Sequence, residues 1–137
     1  MGLDITSSDN EKTFRIGYSS FSVMRSFFVL HYSKELYYKY CEIINRFGFC
    51  SDEEWENVCN NVNNLDILLK HSDCDGELSS DECKLLINSL FVDEEKIRAL
   101  SVVEKNEYYE RIIKSMYEFI EIIRYCAEND DVELIFG

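Results

Sequence analysis

Two stretches of this chain carry residue types that do chemistry at useful spacing. The first runs His71-Ser72-Asp73-Cys74-Asp75-Gly76-Glu77-Leu78-Ser79-Ser80-Asp81-Glu82. Aligned on Gly76, it follows the twelve-residue EF-hand calcium loop. Asp73 and Asp75 take the third and fifth ligand places, and Gly76 takes the sharp turn. Glu77 offers a backbone carbonyl, Leu78 is the apolar anchor, and Glu82 is the bidentate last ligand. The expected metal set is therefore Asp73, Asp75, Glu77 and Glu82, with Ca²⁺ as the ion. One place departs from the pattern: His71 stands where Asp is required, and a hard cation has little use for imidazole nitrogen. The loop is also single, with no second loop to pair with. A turn at Asp73-Cys74-Asp75-Gly76, followed by a Ser79…Glu82 capping box, accounts for the same residues. A borderline metal on His71, Asp73 and Cys74 is disfavoured, since three ligands this close in sequence do not easily converge without help from elsewhere. A third reading makes His71, Ser72, Asp73 and Asp75 one wall of a polar ligand pocket.

The second stretch is Arg15-Ile-Gly17-Tyr18-Ser19-Ser20-Phe21-Ser22-Val23-Met24-Arg25. It ends a strand and begins a helix. Gly17 permits close backbone approach, Ser19 and Ser20 bring hydroxyls and free N–H groups, and Arg25 brings a planar fork one to two turns on. A phosphate or carboxylate site is expected at Gly17, Tyr18, Ser19, Ser20 and Arg25, against the plainer reading of a capped helix with Arg25 on its surface. No Lys-Ser/Thr pair follows a glycine loop, so this is not a P-loop. The chain has two histidines, His31 and His71. No nucleophile, base and orienting group can be read together, so binding is expected rather than catalysis.

The elements that must position these residues are legible in outline. Leu3 and Ile5, then Phe14, Ile16 and Tyr18, alternate with polar residues as two strands joined through Ser7 to Glu11. Val132, Leu134 and Phe136 repeat the pattern and complete a small sheet, because a lone hairpin is marginal. Helical spacing fills the middle. Phe21, Met24, Phe27, Phe28 and His31 share one face after Ser19 and Ser20 as caps. Ser33 starts a second helix with Leu36, Tyr37, Tyr40, Cys41, Ile44 and Phe47 inward, stopped by Gly48. Ser51…Glu54 and Ser79…Glu82 are capping boxes. Val62, Leu65, Leu68 and Leu69 form a short stripe. The clearest helix runs from about Glu104 to Glu128, with Ile112, Met116, Phe119 and Ile123 in period and Glu107→Arg111 and Glu110→Lys114 as outer pairs. The expected fold is α+β: one domain, residues 1–137, mostly helical (about six helices), with a small antiparallel sheet from the N- and C-terminal strands.

Composition bounds the partners. The 137 residues include 27 Asp and Glu against 14 Lys and Arg, a formal charge of −13, six cysteines and no proline. Residues 1–50 carry a net +1, residues 51–92 a net −8 and residues 93–137 a net −6. An acidic chain is poorly suited to neutralising phosphates, so direct nucleic-acid binding is not expected. No uncharged run approaches the ~20 residues of a membrane span. No basic and apolar signal opens the chain, and no C-x-x-C pair occurs. Thiols in a reducing cytosol are expected.

The opening Met1-Gly2-Leu3-Asp4-Ile5-Thr6, the Gly17-Tyr18-Ser19-Ser20…Arg25 turn and the His71 to Leu78 loop together resemble a family of small bacteriophage and prophage proteins of unassigned activity. The resemblance implies expression in a bacterial cytoplasm and a role in phage–host conflict. On this reading the protein sequesters a small anionic, nucleotide-like ligand made by host defence, with basic groups and N–H donors for phosphate and carboxylates for ribose hydroxyls. The alternative is an acidic inhibitor that mimics nucleic acid and blocks a basic host defence protein. Interspersed Lys and Arg among the 22 acidic residues of 51–137 would weaken that alternative.

Overall fold

The computed structural model describes residues 2–46, 51–100 and 106–137. The expectations for Phe47, for Gly48 as a helix stop and for a helix start near Glu104 lie outside the described residues. The fold is α+β and mostly helical, as the spacing predicts.

Strand β1 (Gly2–Ser7) and strand β2 (Thr13–Gly17) pair antiparallel, with Leu3 opposite Ile16 and Ile5 opposite Phe14. Side chains alternate across a strand, so all four point into the core. The turn between the strands is closed by Ser7, whose hydroxyl accepts the Lys12 amide at 2.9 Å. Asn10 sits at φ +63° in that turn, a conformation Asn tolerates. Tyr18, expected in the strand, instead opens the first helix.

The four-stranded sheet has the order β2-β1-β4-β3. Strand β4 (Leu134–Phe136) lies between β1 and β3 (Glu77–Leu78), antiparallel to both. The two chain ends thus build the sheet as expected, and the His71–Glu82 loop adds an unforeseen edge strand. Two residues have no readable alternation, which is why the sequence hides it.

Seven α-helices occur among the described residues. Helix α1 (Tyr18–Tyr32) is capped by Gly17 without a side-chain bond; Ser19 and Ser20, expected as caps, fall inside its first turn. Helix α2 (Lys34–Asn45) follows at once, with the Ser33 hydroxyl accepting from the Leu36 amide at 3.2 Å. Tyr40 and Ile43 are its buried residues, and Ile44, expected inward, is exposed. Helix α3 (Asp52–Cys59) carries the Ser51–Glu54 capping box, both bonds formed. A 3-10 turn at Asn63–Leu65 and helix α4 (Asp66–Leu69) bury Val62, Leu65, Leu68 and Leu69.

Helix α5 (Ser80–Ile87) begins with the second capping box, Ser79–Glu82. Helix α6 (Glu94–Leu100) has no counterpart in the sequence reading. Its mark is Asp93, whose carboxylate accepts the Lys96 amide at 3.1 Å; with only Ile97 buried, no apolar stripe announces it. Helix α7 (Asn106–Glu128) is the long amphipathic one, burying Ile112, Ile113, Met116, Phe119, Ile122, Ile123 and Cys126. Its Glu110 reaches Arg98 of α6 at 2.7 Å, a tie between helices that spacing along α7 does not reveal. Phe119 is the hub of the core, with Phe14 edge-on at 5.9 Å and Phe21 at 6.2 Å. Edge-to-face pairs like these add about 0.5–1.5 kcal/mol beyond burial.

Candidate functional site

The fold brings the two chemically marked stretches together at one residue pair. Arg25, in the middle of α1, is only 8 % exposed. Its Nη2 donates to the main-chain carbonyl of His71 at 3.1 Å. Its guanidinium lies over the Phe21 ring, 4.3 Å from the centroid. Phe21 meets Phe136 of β4 edge-on at 6.2 Å, and the His71 ring packs on Phe136 at 4.2 Å. These contacts form a closed circuit through α1, β4 and the loop. It explains locally why the loop adds a strand at the sheet's edge: His71 and Phe136 hold the loop against β4.

The loop is tightly folded on itself. His71 Nδ1 lies 2.7 Å from the Ser72 carbonyl and Nε2 lies 3.2 Å from the Glu77 carbonyl. The Ser72 hydroxyl accepts the Cys74 amide at 3.2 Å. Gly76 sits at φ +88°, where a side chain would be strained, and its carbonyl accepts the Phe136 amide at 2.9 Å. Asp73 is half-buried and Asp75 is exposed. The Glu82 carboxylate accepts the Ser79 amide at 2.9 Å as a cap. The calcium expectation needs the Glu77 carbonyl and Glu82 carboxylate for the ion. Here one faces the His71 ring and the other closes a helix end. Among the described residues no three His, Cys, Asp or Glu side chains gather as a metal ion requires. The residues of this loop do not fit Ca²⁺ in this arrangement.

At the other stretch, Gly17 has ordinary extended backbone at φ −67°. A Cβ placed there would meet nothing within 4 Å, so the fold itself does not demand glycine. Tyr18 packs against the core, and the Ser20 hydroxyl lies 3.1 Å from the Tyr108 hydroxyl. Ser19 points elsewhere. With Ser22, Val23 and Ser26 of α1 and Tyr40, Cys41, Ile44 and Asn45 of α2, it lines a cavity of about 470 Å³ between the two helices. Ligand pockets run at about 300–1,000 Å³. The sequence reading missed Ser22, Ser26 and Tyr40. Their signal is present nonetheless: Ser19, Ser22 and Ser26 stand at i, i+3 and i+7, one hydroxyl stripe along a helix.

Tyr40 joins this cavity to the buried cation. It lines the cavity, and the charge of the Arg25 guanidinium acts on its hydroxyl. Burial pushes the Tyr40 hydroxyl up to about 12, with Arg25 pulling the other way. Burial likewise depresses the Arg25 guanidinium, opposed by Tyr40 and by the charge of Asp73. No carboxylate lies within ion-pair distance of Arg25 among the described residues, and its Nε has no partner. Buried charges are normally paired, because desolvation costs several kcal/mol per ion.

A second and larger cleft, about 750 Å³, lies over α2 and α3 and is lined by Tyr32, Ser33, Tyr38, Lys39, Asn57 and Asn61 among others. None of the residues expected to bind a ligand reaches it. Among the described residues no helix is long and apolar enough to cross a membrane. Comparison of the chain with family models, with curated proteins and with solved structures gave no match.

Proposed function

We propose that this protein binds a small anionic ligand, of nucleotide size, in the cavity between α1 and α2, without performing chemistry on it. The observation that carries this reading is Arg25: a buried guanidinium with an unpartnered Nε and, among the described residues, no carboxylate in ion-pair distance, whose charge acts on a tyrosine that lines the cavity. An anion in the cavity would lie beside Tyr40, where the field of the buried Arg25 cation behind it favours negative charge. The serine hydroxyls at Ser19, Ser22 and Ser26 are suited to its oxygens, and Val23, Cys41 and Ile44 to an attached ring. In this reading the His71 carbonyl holds Arg25 in place from behind, and His71, Ser72, Asp73 and Asp75 do not wall the pocket. A role in withholding a nucleotide signal during phage–host conflict rests on the resemblance of the three sequence motifs. The nucleic-acid-mimic alternative has less support. Cations interleave with the acids in 51–137, as in Lys70 with Asp66, Lys84 with Asp130, Lys96 with Asp93 and Arg98 with Glu94.

The test is thermal unfolding with a panel of cyclic and linear nucleotides. A ligand at a hundredfold excess over its Kd should raise Tm by about 5–10 °C for a domain of this size. Tyr40→Phe, which keeps the ring and removes the hydroxyl, should reduce the shift while the apo protein still unfolds cooperatively. No shift with any member of the panel would overturn the proposal.

A further inference from the structure

His71, the residue that departs from the calcium pattern, has both ring nitrogens against main-chain carbonyl oxygens. Nδ1 lies 2.7 Å from the Ser72 oxygen and Nε2 lies 3.2 Å from the Glu77 oxygen. A carbonyl oxygen only accepts. A neutral imidazole has one N–H and one bare nitrogen, so it satisfies one of these oxygens and sets a lone pair against the other. The imidazolium has two N–H groups and donates to both, in charge-assisted bonds. No metal competes for these groups, because the Glu77 oxygen faces the ring and the Glu82 carboxylate accepts the Ser79 amide.

Neighbours fix the ring in this place. It packs on the Phe136 ring at 4.2 Å, and the residue's own carbonyl accepts from Arg25 at 3.1 Å. Its amide donates to the Leu68 carbonyl at 3.2 Å. Gly76 leaves it room, since a Cβ there would come within 3.4 Å of Nε2. The two ring contacts span the turn. Ser72 stands at its start and Glu77 is the first residue of β3, so the ring closes the turn that carries the Gly76 carbonyl to the Phe136 amide, 2.9 Å away. A strand of two residues at the sheet's edge has few ladder bonds of its own, which makes these side-chain ties count.

We infer that His71 is a proton-operated latch: as imidazolium it ties Ser72 to Glu77 and seats β3 on β4, and on losing its proton it gives up one tie and lets the edge strand open. The added hold is complete at low pH and is lost as pH rises through the histidine range. The charged and titratable groups on the surrounding elements are Arg25 of α1, Asp73, Cys74, Asp75 and Glu77 of the loop and β3, Asp4 of β1 with Arg15 at 2.7 Å, and Asp66 of α4 with Lys70 at 3.9 Å. Carboxylates as a class change charge near about pH 4, thiols above about pH 8 and lysines above about pH 10, whereas histidine changes charge between about pH 5 and 8. His71 does not line the α1–α2 cavity, so the latch stands or falls independently of the anionic ligand.

The experiment uses the full chain. Nitrogen-15 spectra of the ring at about pH 5.5 should show both His71 nitrogens protonated. Amide exchange, corrected for the intrinsic rate at each pH, should show protection of the Phe136 amide falling about tenfold between about pH 5.5 and 7.5, the loss of one charge-assisted bond. Protection at Leu3 and Ile16, paired between β1 and β2, should stay constant. His71→Phe keeps a ring on Phe136 without the nitrogens and should make the Phe136 protection independent of pH. His31→Gln, at the other histidine, should leave the dependence in place. A neutral His71 ring at the lower pH, or Phe136 protection that does not change, would overturn the proposal. So would a dependence that survives in His71→Phe, disappears in His31→Gln or is removed by EDTA.

Discussion

The side chain of Arg25 donates through Nη2 to the main-chain oxygen of His71, 46 positions away in sequence, at 3.1 Å. One end of that bond is a helix residue flagged for its charge. The other is the loop residue that breaks the calcium pattern. The bond makes the loop part of the packing of α1 and places a nearly unpaired cation behind Tyr40.

Replacing Arg25 separates its charge from its bulk. Arg25→Ala leaves a void over Phe21 and frees the His71 carbonyl; a loss of about 2–4 kcal/mol is expected. Arg25→Met keeps most of the volume and removes a charge that was costly to bury. Its loss should be less than half as large. Urea denaturation midpoints decide between these outcomes, and equal losses would mean that the charge itself stabilises the fold.

Phe136 holds the sheet, the loop and α1 at once, through Phe21 and His71. Phe136→Ala should cost about 3–5 kcal/mol, the range for a buried aromatic. Because β4 lies between β1 and β3, hydrogen exchange in the mutant should rise at Leu78 as well as at Ile5. Exchange that rises only at Ile135 and Gly137 would show that β3 holds without β4.

The two capping boxes act on separate helices. Ser51→Ala and Ser79→Ala should each cost about 1 kcal/mol, and the double mutant should lose the sum within about 0.5 kcal/mol. A calcium site at the loop would behave differently, since Ser79→Ala stability would then recover with added Ca²⁺. Denaturation with and without the ion reads this directly.

Glu54 sets an acid limit. A hydrogen bond from Lys39, 2.9 Å away, and one from the Ser51 amide hold its carboxyl down at about 2, below the ordinary 4.5. A depressed carboxyl contributes stability that is complete above 4.5 and lost as pH falls towards 2. Denaturation midpoints should therefore fall over that window in the parent protein and fall less steeply in Glu54→Gln.

The cysteines should divide by exposure. Cys74 is exposed, whereas Cys59, Cys83 and Cys126 are buried. The Cys83 thiol is raised by its hydrogen bond with Cys126 and by burial. A brief pulse of iodoacetamide followed by peptide mass analysis should find Cys74 modified before Cys59, Cys83 and Cys126, which stay protected until denaturant is added. Early labelling of Cys83 would contradict the packing of α5 on α7.

Local rules determined much of this molecule from the sequence alone. The Leu3–Ile5 and Phe14–Ile16 alternation requires a hairpin. Ser33, Ser51 and Ser79 stand as caps where their spacing to Leu36, Glu54 and Glu82 says. The 3.6 period of α7 buries Ile112, Met116, Phe119 and Ile123. These features depend on neighbours three or four residues apart, and the chain carries that information explicitly. Only the tertiary structure decided the rest. Leu78 belongs to a strand because Leu134 lies beside it. Ser19 is a cavity wall rather than a cap because the helix begins one residue earlier, at Tyr18. Arg25 is buried rather than on the surface because it packs over the Phe21 ring and the His71 carbonyl takes its Nη2. Each of these depends on residues tens of positions away, brought close by burying a shared apolar surface that no local pattern records.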